Sequence, residues 1–93
     1  MRTIEYSTRF KRDYKREAKG RFRSDIDAIL MPVLEDLVAD KPLDAQYHDH
    51  DLSGNWRGYR ECHLKPDLLL IHRKDGADIL RLARLGSHSE LFS

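Results

Sequence analysis

The sequence has one cysteine, Cys62, so no internal disulfide can form and a reducing compartment is expected. No apolar run approaches the ~20 residues that span a bilayer, and the N-terminus lacks the apolar stretch of a secretory leader. These absences predict a cytoplasmic protein with no membrane contact. There are no internal repeats and no low-complexity segments, so the chain does not read as a repeat array or a linker. Length is limiting too. Its 93 residues leave no room for a second core, so residues 1–93 read as one domain. A chain of this size buries roughly 60–65% of its unfolded surface, which makes for a modest core.

Net charge is also small, at +1, but the balance is local. Residues 9–23 carry Arg9, Lys11, Arg12, Lys15, Arg16, Lys19, Arg21 and Arg23 against only Asp13 and Glu17, a net of +6. The rest of the chain therefore sums to −5. A concentrated basic segment on a near-neutral protein is either a solvated helix face or the footprint of a polyanion, and charge alone leaves both open.

Ile4 to Tyr6 alternates as a short first strand. Ser7 or Thr8 can cap a helix in which Phe10, Tyr14 and Ala18 form a narrow apolar stripe, with Gly20 at its end. Ser24 with Asp27 reads as a second helix start. Ile26, Ile29, Leu30, Val33, Leu34, Leu37 and Val38 then follow steps of three and four, and Pro32 predicts a kink within that helix. Leu43 to Asn55 has no period and reads as a loop. Trp56 to Leu64 is a strand with Tyr59, Glu61 and His63 on one face and Arg60, Cys62 and Leu64 on the other. Leu68 to Arg73 is an apolar central strand. Asp75-Gly76 signals a hairpin, and Ile79 to Leu85 is its partner, with Arg81 and Arg84 on opposite faces. Ser87 to Phe92 is a tail of at most one helical turn. The order predicts an α+β domain: an N-terminal strand, then a helical hairpin packed on one face of a mainly antiparallel sheet, the other face open and partly polar.

The chemistry concentrates in and after the aperiodic loop. His50, His63, His88 and Asp67 fall at loops or strand ends. Metal-free RNA cleavage needs a base for the 2′-hydroxyl, an acid for the leaving 5′-oxygen and cations around the phosphorane. Imidazole suits both proton steps, because its ordinary pKa of ~6.5 lies near working pH. Arginine suits the charge, since its fork matches phosphate oxygens. Phe92 and Trp56 are candidate platforms for splayed bases, although Trp56 reads first as a core or loop anchor. His48 and His50 with Asp49 and Asp51 raise a metal site, but no cysteines follow at zinc-ligand spacing, so no metal and no cofactor are expected. His72, within the apolar strand, reads as structural, and Cys62 as a small buried hydrophobe.

The run from His50 to Asp67, with Leu52, Gly54, Trp56, Gly58-Tyr59-Arg60, His63 and Pro66-Asp67 at fixed places, resembles the YafQ branch of the RelE/ParE toxin superfamily of bacterial type II toxin–antitoxin systems. Arg84, Gly86, His88, Leu91 and Phe92 continue the likeness, and Ile4 to Ser7 with Phe10, Lys11 and Asp13 open it. The resemblance covers the whole chain. It implies a RelE-like, microbial-RNase-like α+β fold and a ribosome-dependent mRNA endonuclease held in check by a cognate antitoxin. Catalytic positions then fall on His50, His63, Asp67, His88 and Phe92, with His88 and Asp67 as the acid–base pair. Arg81 and Arg84 would neutralise the phosphate. The first helix, with Lys11, Lys15, Arg16 and Lys19, would grip ribosomal RNA while mRNA is cut. Pro32 and His48 depart from the family pattern. A gyrase-inhibiting relative and a non-catalytic RNA-binding module are the alternatives.

Overall fold

The computed structural model describes residues 1–92. Its elements are β1 (Thr3–Tyr6), α1 (Thr8–Lys19), α2 (Ile26–Val38), β2 (His50–Asp51), β3 (Arg60–Lys65), β4 (Leu68–Asp75), β5 (Ile79–Gly86) and α3 (His88–Phe92). Three single 3₁₀ turns, at Arg23–Asp25, Ala45–Tyr47 and Gly54–Trp56, join them. The strands form one sheet in the order β1-β5-β4-β3-β2. β1 lies parallel to β5, and every other pairing is antiparallel. This is the expected α+β architecture.

Each helix forms for local reasons. Ser7 caps α1, its hydroxyl accepting the Phe10 N–H at 2.9 Å. The expected stripe packs inward, with Phe10 buried and Tyr14 and Ala18 against the core. Asp13 and Glu17, unforeseen there, are buried as well. α2 begins without the expected Ser24 cap: a 3₁₀ turn leads into it, and Asp25 at the cap position makes no side-chain bond. Ile26, Leu30, Val33, Leu34 and Leu37 are buried, and the helix runs through Pro32.

The main core lies between the helices and one sheet face, where Cys62, Leu64, Leu68, Leu70, Leu80, Leu82 and Leu85 meet Phe10 and the α2 leucines. Cys62 is fully enclosed, and burial pushes its thiol pKa up to about 12. The second face differs from the expectation of an open polar surface. Leu69, Ile71, Ala83 and Leu91 make a smaller apolar cluster there, shielded by Leu52, Trp56 and Tyr59. The residues before β3 curl over this face rather than extending, so Trp56 lies in a turn and stacks edge-on against Tyr59 at 5.3 Å.

Two details bear on the site. The loop from Leu43 contains β2, whose two residues are too few to show a period but pair with β3 as His50↔Glu61 and Asp51↔Arg60. A bulge shifts the β4–β5 register between Ile71 and His72, so Arg84 stands opposite Ile71 while Arg81 stands opposite Arg73. Ile71 and Arg73 share a face, and directly opposed residues do too. Arg81 and Arg84 are therefore on the same side of the sheet, not on opposite sides.

Candidate active site

The site is built on the second sheet face. In one row across the strands lie His50, Glu61, Ile71 and Arg84, and in the next His63, Leu69 and Gly86. Strand spacing of about 4.8 Å puts His63 and Gly86 roughly 10 Å apart, with buried Leu69 as the floor between them.

The first cluster is His50, Glu61 and His63. Glu61 is buried, and its Oε1 lies 3.3 Å from His63 Nε2 and 3.6 Å from His50 Nε2. The two rings are 6.1 Å apart, and His48 lies edge-on to His63 at 5.7 Å. His50 Nδ1 sits 2.7 Å from the His48 carbonyl, which His48 presents by adopting a left-handed conformation with φ +48°. If Nδ1–H is donated to that carbonyl, the neutral ring offers Nε2 as an acceptor, the form a general base requires.

His50 is held in place from the other face. Arg60 donates to Asp49 at 3.1–3.3 Å and to Asp51 at 2.5 Å, the two carboxylates that flank His50. Buried His72 adds an Nε2 contact to Asp49 at 3.3 Å. Burial raises the Asp49 pKa, but His72 and Arg60 outweigh it and hold the carboxyl below its ordinary value. The reading of His72 as structural therefore gains a specific task.

The second cluster is Asp67, His88 and Phe92. Asp67 occupies the β3–β4 turn, and its Oδ1 accepts the backbone N–H of His88 at 3.1 Å. Arg21 donates to the Asp67 carbonyl at 2.7 Å and lies 3.6 Å from Oδ2. His88 and Phe92, one turn apart on α3, face each other at 5.0 Å, and both are exposed. The contact between Asp67 and His88 runs to the main chain, not to the imidazole.

The cations fall into three groups. Arg84 donates to Asp13 through Nε at 2.8 Å and through a terminal nitrogen at 3.2 Å, in the row of Glu61. Arg81 lies farther along the sheet and pairs with Glu5 at 2.8 Å and Asp75 at 3.0 Å. On α1, Lys11, Lys15 and Lys19 are exposed. Arg16 pairs within the molecule, with Asp13, Glu17, Glu90 and the Leu85 carbonyl, while its side chain stays 40% exposed.

Glu61 is the residue whose role the sequence reading missed. Its alternation with Tyr59 and His63 already put it on their face, but nothing local said that it would be buried between two imidazoles. Together His50, Glu61 and His63 bring one ligand atom each to within 4.8 Å of one another, a donor set able to hold a metal ion. Glu61 and His63 meet His50 only through strand pairing, so the spacing of residues along the chain does not reveal the set.

Over residues 2–93 the chain matches the family described as "Bacterial toxin of type II toxin-antitoxin system, YafQ". It is 38% identical over 92 residues to the mRNA interferase toxin YafQ of Escherichia coli K12, covering 99% of this chain and 97% of that one. It is 37% identical to the toxin chain of the E. coli DinJ-YafQ complex, with a TM-score of 0.85 and full coverage of both chains. A metal-bound toxin from Helicobacter pylori is 45% identical, with a TM-score of 0.87 over 99% of this chain and 100% of that one.

Proposed function

The chain belongs to the YafQ family of toxins from bacterial type II toxin–antitoxin systems, and from that membership we propose that it is an endoribonuclease that cuts translated mRNA by proton transfer between histidines. The observation that supports the proposal is the placement of His50 and His63 on neighbouring strands of one sheet face, with His88 tied to the β3–β4 turn through Asp67.

In the proposed reaction His50 Nε2 takes the proton of the 2′-hydroxyl, and the 2′-oxygen attacks phosphorus. The bond to the 5′-oxygen breaks, and His88 gives that oxygen a proton. The products are a 2′,3′-cyclic phosphate and a 5′-hydroxyl. Arg84, two strands from Glu61 in the same row, would meet the phosphorane through the donor that Asp13 leaves free, and His63 stands beside Glu61. Phe92 offers its exposed ring to a splayed base, four residues from His88 on the same helix. Asp67 sets the direction of His88 through the backbone bond.

The exposed lysines of α1, Lys11, Lys15 and Lys19, support docking on ribosomal RNA. Crystal structures of the E. coli relative in complex with DinJ support a cognate antitoxin as partner. Mapping of mRNA 5′ ends after induced expression tests the reading. New ends should appear with the wild type and vanish with His88→Ala. Unchanged transcripts accompanied by a DNA-damage response would favour the gyrase-inhibitor alternative.

One observation favours a second, inhibitory reading. The His50, Glu61, His63 donor set would place a bound metal on the two imidazoles that the reaction needs, and a relative is known in a metal-bound form. Metal there would withhold His50 and His63 from proton transfer.

A further inference from the structure

α3 has five residues, too few to hold helical shape without tertiary support, yet it carries both His88 and Phe92. Its support is specific. Ser87 and Glu90 form a reciprocal cap: the Ser87 N–H donates to Glu90 Oε1 at 2.8 Å, and the Glu90 N–H donates to Ser87 Oγ at 3.3 Å. The other oxygen of Glu90 lies 3.0 Å from Arg16 Nε on α1.

Arg16 is itself fixed. β1 ends at Tyr6, opposite Leu82, so among the described residues the edge of β5 beyond that point has no strand partner. Side chains of α1 supply what the missing strand would: Asp13 accepts the Leu85 N–H at 3.0 Å, and Arg16 donates to the Leu85 carbonyl at 2.8 Å. Arg16 also bonds Asp13 at 3.0 Å. One guanidinium therefore joins the β5 edge, α1 and the cap of α3.

Gly86 gives independent support. A Cβ at this position would stand 2.6 Å from an Arg16 terminal nitrogen, 3.0 Å from Glu90 Oε1 and 3.4 Å from Leu91 Cδ2. The backbone φ of Gly86 is not in the left-handed region, so conformation does not demand glycine here. A Cβ would instead push aside the Arg16–Glu90 pair, which crosses over the backbone at the root of α3.

We propose that Arg16 and Glu90 are positioning residues that set the orientation of His88 and Phe92, by clamping the short terminal helix to α1 across Gly86. The clamp rests on the reading that His88 and Phe92 act in RNA cleavage. It gives Arg16 a task distinct from the exposed lysines of its own helix. Lys11, Lys15 and Lys19 would govern substrate docking, and Arg16 the geometry of the acid.

Three variants test it: Glu90→Ala, which removes cap and ion pair; Glu90→Gln, which keeps an acceptor for Ser87 but loses the charge; and Gly86→Ala, which keeps every polar group and fills the gap. Single-turnover cleavage of a reporter mRNA on programmed ribosomes gives rate and half-saturation separately. His88 ring signals in two-dimensional NMR report orientation without reference to activity. Glu90→Ala and Gly86→Ala should each lower the rate by about 100-fold with little change in half-saturation, as expected of an ångström-scale misplacement. Both should also shift the His88 and Phe92 ring signals. Glu90→Gln should fall between them and the wild type. Wild-type rates and unmoved ring signals in the first two variants would overturn the clamp. If the wild type cuts no message, the functional reading fails instead, and moved or unmoved ring signals still decide the clamp. Should Glu90→Ala not fold, Glu90→Gln and Gly86→Ala carry the same test.

Discussion

Asp67 Oδ1 accepts the backbone N–H of His88 at 3.1 Å, a bond between residues 21 positions apart that ties the β3–β4 turn to the first residue of α3. The carboxylate reaches the main chain, and the imidazole is left to face solvent and Phe92. Asp67 and His88 therefore have separable tasks, and substitutions can distinguish them.

Asp67→Asn preserves an acceptor oxygen for the His88 N–H and should keep mRNA cleavage within about tenfold of wild type, while Asp67→Ala should lose more. His88→Ala removes the proton donor and should cost about 10²–10⁴-fold. Primer-extension rates on the same message measure all three. Equal loss in Asp67→Asn and Asp67→Ala would return Asp67 to a proton-transfer role.

Arg60 holds both neighbours of His50. Arg60→Ala should free the segment from Asp49 to Asp51 and reduce cleavage by roughly tenfold or more, since a loosened base spends less time in reach of the 2′-hydroxyl. Hydrogen exchange should rise at the His50 and Asp51 amides and stay unchanged in α2. Protection that is uniform between variant and wild type would show that Arg60 does not anchor β2.

Acid stability should depend on Asp13. Burial alone would raise its pKa, but Arg84, the Leu85 N–H and Arg16 together hold it below the ordinary 3.8. A carboxylate with a lowered folded-state pKa stabilises the fold above its unfolded pKa, and that contribution fades as pH falls through the lower folded value. Asp13→Asn should therefore unfold at a lower temperature than the wild type at pH 7, with the gap closing below about pH 4. Thermal melts across pH 2–7 read this directly, and a gap that widens in acid would contradict the assignment.

Copper or zinc added to the purified toxin should inhibit cleavage, and a chelator should restore it, because His50 and His63 cannot hold a metal and move protons at once. Glu61→Gln should weaken the metal's effect. Metal binding, read by calorimetry, that survives replacement of both His50 and His63 would place the metal elsewhere.

Cys62 should resist alkylation in the folded protein. Its side chain is enclosed, and burial raises the thiol pKa to about 12, so almost no thiolate forms at neutral pH. Mass spectrometry after iodoacetamide treatment should find label only under denaturing conditions.

What the sequence determined by itself is the frame. Steps of three and four from Ile26 to Val38 gave α2, because a buried helix face repeats near 3.6 residues. The apolar run from Leu68 gave the central strand, and Asp75-Gly76 gave its hairpin to β5. The histidines of the site were legible by residue type, and the motif from His50 to Asp67 gave the family.

Tertiary structure alone decided which of these side chains meet. β2 is two residues long and leaves no periodic trace, yet its pairing brings His50 beside Glu61. The bulge at Ile71 turned Arg84 to the face of Glu61 and His63, against the simple alternation that sequence suggests. Arg16 read as one more surface cation because local sequence records charge, not partners 69 and 74 positions away at Leu85 and Glu90. Local sequence sets the period of an element, whereas burial and hydrogen-bond satisfaction across elements set which groups face one another. The candidate site belongs to that second class.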